Sequence, residues 1–120
     1  MDYLNEYNAF IADYSSNIAD PRKAGEVLGR MAQHYATYNM KLIDSSRNLA
    51  IIAKDIENQE DEKSGKTITS AKASVLVAAT AEAFSYQADK IHVQNIEQFI
   101  NSLKTIAKLI SGEWNVMGSI

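Results

Sequence analysis

Residues 57–70 read ENQEDEKSGKTITS and stand between two long stretches of helical periodicity. The tripeptide Gly65-Lys66-Thr67 is how a phosphate-binding loop ends, so the segment is either the P-loop of an α/β nucleotide-binding fold or the turn of a helical hairpin. The pattern G-x-x-x-x-G-K-[ST] places its first glycine at position 60, which is Glu60, and requires a strand leading in, where this chain has a helix. Both requirements fail. Gly65 suits a positive φ, Thr67 or Thr69 can cap the next helix, and the acids Glu60, Asp61 and Glu62 repel a phosphate. The segment therefore reads as the hairpin turn, over 60–68.

Upstream of the turn, Leu28, Met31, Tyr35, Tyr38, Leu42, Ser45, Leu49, Ile52 and Ile56 keep a heptad register with one polar interruption. Apolar residues alternating at three and four positions form the narrow stripe of a coiled-coil-like seam. The helix that carries them starts at Asp20-Pro21, because Asp accepts an orphan N–H and Pro has none to leave unpaired, and it runs over 21–59. Before it, Leu4, Tyr7, Ile11, Tyr14 and Ile18 mark one stripe of a short helix over 1–19.

Downstream, one helix is expected over 69–111, ended by Gly112. Val93, Ile96, Ile100, Leu103, Ala107 and Ile110 are in register, and Phe99 and Ile106 widen the stripe. Its first half, AKASVLVAATAEA, is rich in small residues that admit a close neighbour, and the blurred register near Asp89 and Lys90 suggests a kink or a change of partner. The tail 112–120 adds Trp114, Val116, Met117 and Ile120. Nothing alternates like a strand. The fold class is all-α, a long antiparallel helical hairpin with a short N-terminal helix and coiled-coil-like packing.

The 120 residues allow one domain, and 46% hydrophobic with 22% charged residues is a globular composition. The absence of Cys removes disulfides, thiolate nucleophiles and Cys-based zinc sites, and no signal peptide or membrane span is visible, so a cytoplasmic protein is expected. His34 and His92 flank the seams with no further ligand at a recognised spacing, which makes boundary histidines the plainer account and leaves no metal site. No Gly-x-Ser-x-Gly elbow or Ser-x-x-Lys stands in a suitable context, so neither catalysis nor a cofactor is expected. Tyrosines could stack bases, but Tyr7, Tyr14, Tyr35 and Tyr38 lie on seams, where packing explains them. A helix of about 38 residues is roughly 57 Å long, and a first helix of about half that length cannot cover two such arms. Self-association follows, with Leu28, Tyr35, Leu42, Leu49 and Trp114 as partner or oligomer contacts.

The order of a short N-terminal segment, a long helix with aromatic seam residues (RMAQHYATYNMKLIDSSRNLAIIAKDIE), a Ser-Gly turn and an Ala-rich helix opening TSAKASVLVAATAEAF resembles the UvsY-like recombination mediators of tailed phages, over roughly residues 25 to 110. The resemblance implies a non-enzymatic homo-oligomer that binds single-stranded DNA, contacts a recombinase and a single-strand-binding protein, and helps load the recombinase. Repeated around an oligomer, a few cations per chain become a phosphate track, and Arg47, Lys54, Lys63, Lys66 and Lys72 are its candidates. The net charge of -3 departs from that expectation. The alternative is a helical adaptor or inhibitor of a host protein that binds protein alone, its acids meeting a basic surface and Trp114 anchoring.

Overall fold

The structure is a computed structural model that describes residues 2–60 and 65–119, with side chains described over 3–60 and 65–112. Four helices follow one another: α1 (Asp2–Ser15), α2 (Pro21–Glu57), α3 (Ser70–Ala78) and α4 (Ala81–Ser119). The long helices α2 and α4 pack against each other as the arms of an antiparallel hairpin, Tyr35 meeting Glu97 and Tyr38 meeting His92. The all-α hairpin read from periodicity is the fold observed.

Local chemistry explains the boundaries. Asp20 caps α2 by accepting the Lys23 N–H at 2.8 Å, one of the donors a helix start leaves without an intrahelical partner. In the turn, Gly65 takes a φ of +67°, and Thr69 caps α3 by accepting the Lys72 N–H at 3.2 Å. Glu60 and Thr67 form an isolated antiparallel bridge that closes this connection.

The helix expected over 21–59 ends two residues early, at Glu57, and three boundaries differ from the sequence reading by more. The helix expected over 69–111 is divided at Ala79-Thr80, where the Thr80 hydroxyl donates to the Val77 carbonyl at 2.7 Å and accepts the Ala83 N–H at 3.2 Å. One side chain thus ends α3 and begins α4, and α4 runs unbroken past Asp89 and Lys90. Gly112 does not stop α4, which continues to Ser119. It is absent from the positive-φ glycines, so it stays helical at a cost of about 1 kcal/mol relative to Ala. Helix α1 ends at Ser15, and Asn17 turns through a φ of 59°, which leaves Ile18 61% exposed instead of on the stripe.

The nine α2 seam positions from Leu28 to Ile56 are all buried or half-buried, as are the eight seam and flanking positions of α4. The polar interruption, Ser45, is buried with its hydroxyl donating to the Leu42 carbonyl at 3.2 Å, so the seam carries no unpaired hydroxyl there.

Contacts divide the chain into two compact units, Met1–Thr37 with Gln94–Ile120, and Tyr38–Val93. In the first, Tyr3, Phe10, Met31, Ile96, Leu103 and Ile110 form a dense core. Around it Tyr7 stacks on Phe99 with ring centroids 4.0 Å apart, and Glu6 takes His34 at 3.1 Å and Arg30 at 3.6 Å, fastening α1 to α2. The second unit buries only Ile56, Ala73 and Val93 among its described hydrophobic residues, together with Ser45.

Candidate interaction surface

The thin core of Tyr38–Val93 has a counterpart on its outside. Among the described residues nine large hydrophobics are exposed, and all but Ile18 and Leu109 belong to this unit. On α2 they are Met40, Ile43 and Ile51, at 68%, 51% and 54% exposure. On α3 they are Val75 and Leu76, and on α4 Phe84 and Ile91, seven residues apart and so on one face.

The α2 stripe is not scattered. Spacings of three and four residues connect Arg22, Glu26, Gly29, Gln33, Ala36, Met40, Ile43, Arg47, Ile51 and Lys54 along one face, and all ten are exposed. Its first five members are charged, polar or small, as expected of a face turned to water. From Met40 onward it becomes large, apolar and basic. A face turned to water has no packing need for that change.

The sequence-derived cations fall as follows. Arg47 and Lys54 stand on this outward stripe, and neither takes part in an ion pair among the described residues. Lys66 is exposed in the turn and Lys72 is exposed in the first turn of α3, both in the same unit. Lys63 lies outside the described residues. Asp44, Asp55, Glu57 and Glu60 are exposed in the same unit, so the segment is mixed in sign.

The residues expected to hold a partner lie elsewhere on the helices than this stripe. Leu28, Tyr35, Leu42 and Leu49 are half-buried on the inward seam. The Tyr35 hydroxyl donates to Glu97 at 3.2 Å, and this bond to the carboxylate holds the phenol above its usual pKa. Leu49 lines an open hollow of about 330 Å³ with Ala53, Glu57, Ala73, Val77 and Tyr86. The Trp114 side chain lies outside the described side chains; its backbone continues α4.

The outward apolar stripe was missed because the heptad register already accounted for the helix. Ile51 beside Ile52, and Met40 and Ile43 off the seam, were surplus hydrophobic residues, and that surplus is the signal.

Among the described residues no group of three or more His, Asp or Glu is placed to hold a metal ion, and no helix is long and apolar enough to cross a membrane. No family model, curated protein or solved structure matches the chain.

Proposed function

We propose that this chain is a non-enzymatic helical interaction protein that works by associating with protein chains through its Tyr38–Val93 half. The observation that carries this is the concentration of exposed large hydrophobic residues on a unit that buries few of its own. Single exposed apolar residues are ordinary; a stripe of them beside unpaired charges is characteristic of interaction surfaces. The experiment compares the wild type with a variant carrying Met40→Ser, Ile51→Ser, Phe84→Ser and Ile91→Ser together. Sedimentation velocity at rising concentration and capture of partners from extract both report association, and circular dichroism reports the fold. The expected result is unchanged helicity with association lost. A wild type that associates with nothing, or a variant that keeps every association, overturns the proposal.

One observation favours a second function, the single-stranded-DNA-binding mediator of the UvsY-like kind, for which a recombinase and a single-strand-binding protein would be the protein partners. Arg47 and Lys54 share an exposed face without acidic partners among the described residues, and Lys66 and Lys72 are exposed in the same unit. Phosphate contacts release condensed cations, so affinity would fall with salt at a logarithmic slope of about 0.7 per contact. Gel shifts over a salt series test it. Arg47→Glu, Lys54→Glu, Lys66→Glu and Lys72→Glu together should abolish the shift, and a wild type that gives none at about 50 mM salt ends this second function.

A further inference from the structure

The α2 stripe has a property that selects its occupant. Asp44 and Arg47 are both exposed, both lie beside Met40 and Ile51 on the outward face, and neither is ion-paired among the described residues. Consider a second copy of α2 laid on this face. In a parallel pairing each residue meets its own copy, so Arg47 faces Arg47 and Lys54 faces Lys54. Antiparallel pairing centred on Arg47 also sets like charges together. Antiparallel pairing centred between Ser45 and Ser46 does the opposite: Asp44 faces the other copy's Arg47, Arg47 faces Asp44, Met40 faces Ile51 and Ile51 faces Met40. Met40 and Ile51 then meet apolar on apolar and Asp44 and Arg47 meet acid on base, while Ile43 falls opposite the polar Asn48. A face complementary to itself under a two-fold rotation is what an isologous interface requires.

We infer that the outward face of α2 between Met40 and Ile51 docks on the same face of a second copy of this chain, antiparallel, with two Asp44–Arg47 ion pairs inside a Met40–Ile51 contact at each end. This rests on the proposed function above and names its partner. The contact extends about 16 Å, the eleven steps of 1.5 Å from Met40 to Ile51, and a patch this short belongs among weak, concentration-dependent associations.

The chain has no cysteine in its sequence, so introduced ones report position without background. Met40→Cys and Ile51→Cys chains are prepared separately, mixed and oxidised under mild conditions. The mixed disulfide dimer should form in preference to either homodimer, since identical positions lie about 16 Å apart along the pair and opposed ones meet. Preferential Met40→Cys homodimers would mean a parallel pair and overturn the inference. The charge arm is independent. Asp44→Arg or Arg47→Asp alone should weaken self-association at least about tenfold, because each places like charges face to face, and the two together should restore it to within about threefold. A wild type that stays monomeric up to about 1 mM, where even weak protein pairs associate, overturns the inference. So does a double variant no better than the singles. If association persists in the single charge variants but is lost with Phe84→Ser and Ile91→Ser, the dimer fails and the broader interaction function stands. If Arg47→Asp abolishes single-stranded DNA binding while leaving the oligomeric state unchanged, the α2 face belongs to nucleic acid.

Discussion

Leu103 and Leu109 are the same residue type on the same helix, six positions apart, and the structure gives them opposite environments: Leu103 is fully buried and Leu109 is 52% exposed. Six residues turn a helix by about 240°, so this pair tests the rotational register of α4 with helix propensity held constant. Truncating Leu103 to Ala removes three buried carbons, worth about 2.4 kcal/mol of transfer at about 0.8 kcal/mol each. The cavity left behind brings the loss to about 3 kcal/mol or more, and the better helix propensity of Ala returns only about 0.2 kcal/mol. Unfolding entropy of about 2.1 cal/mol/K per residue gives roughly 0.25 kcal/mol/K for the 120 residues, so Tm should fall by about 12 °C. Leu109→Ala should cost under about 1 kcal/mol, or a few degrees, since half of its surface is already in water. Urea and thermal unfolding followed by circular dichroism measure both variants. Equal losses at the two positions would refute the packing of α4 described above.

Three further outcomes concern the fold and one the loop. Thr80→Ala removes the hydroxyl that serves both α3 and α4, so it should cost about 1 kcal/mol in urea unfolding, while the exposed Thr105→Ala costs less than about 0.5 kcal/mol. Tyr35 is held above 10.0 by its bond to Glu97 and Lys23 above 10.5 by its bond to Asp13; the folded state binds these protons more tightly, so the stability they add is complete below about pH 10 and lost as pH rises through the raised values. Urea midpoints between pH 8 and 11 should fall for the wild type and fall less for Tyr35→Phe. Hydrogen exchange should be faster in 40–57 and 70–78 than in 24–37 and 96–110, because the first pair lies in the unit with the smaller core. ATP with Mg²⁺ at millimolar concentration should leave Tm unchanged, since position 60 is Glu60 where a P-loop needs glycine and a bound ligand must stabilise the native state.

Periodicity was sufficient for what depends on one helix at a time. The α2 register from Leu28 to Ile56 and the α4 register from Val93 to Ile110 are both inward-facing in the structure, because a stripe that repeats every three and four residues has one buried side whatever lies opposite. Asp20, Gly65 and Thr69 were legible because cap and turn chemistry is local. Thr80 was not. It stands within an Ala-rich run that supports helix on both sides, so only the paired bonds to Val77 and Ala83 reveal the break. Tyr3 and Phe10, buried deepest in α1, lay beside the Leu4-Tyr7-Ile11 stripe, and Phe99 of α4 meets both Tyr3 and Tyr7, so the periodicity of α1 alone did not show which residues are buried deepest.

The difference between the two units has a source in helix length. In the first, α1 supplies 14 residues, about 21 Å, and brings Tyr3 and Phe10 as large buried side chains. In the second, α3 has 9 residues, about 14 Å, and its one buried residue is Ala73. A third helix this short and this poor in large inward side chains cannot complete a three-layer core along 38–57, and Thr80 prevents it from lengthening into α4. The hydrophobic residues of that half are nevertheless abundant, and those on the outer side of α2 alternate with cations on a face that is polar and small up to Ala36. Had the same face continued as Arg22, Glu26, Gly29 and Gln33 begin it, the hairpin would have presented water with an ordinary helix surface. The switch at Met40, within one uninterrupted helix, leaves more than half of each of Met40, Ile43 and Ile51 in water, and a second copy meeting it in the antiparallel sense would bury Met40 and Ile51 while pairing Asp44 with Arg47.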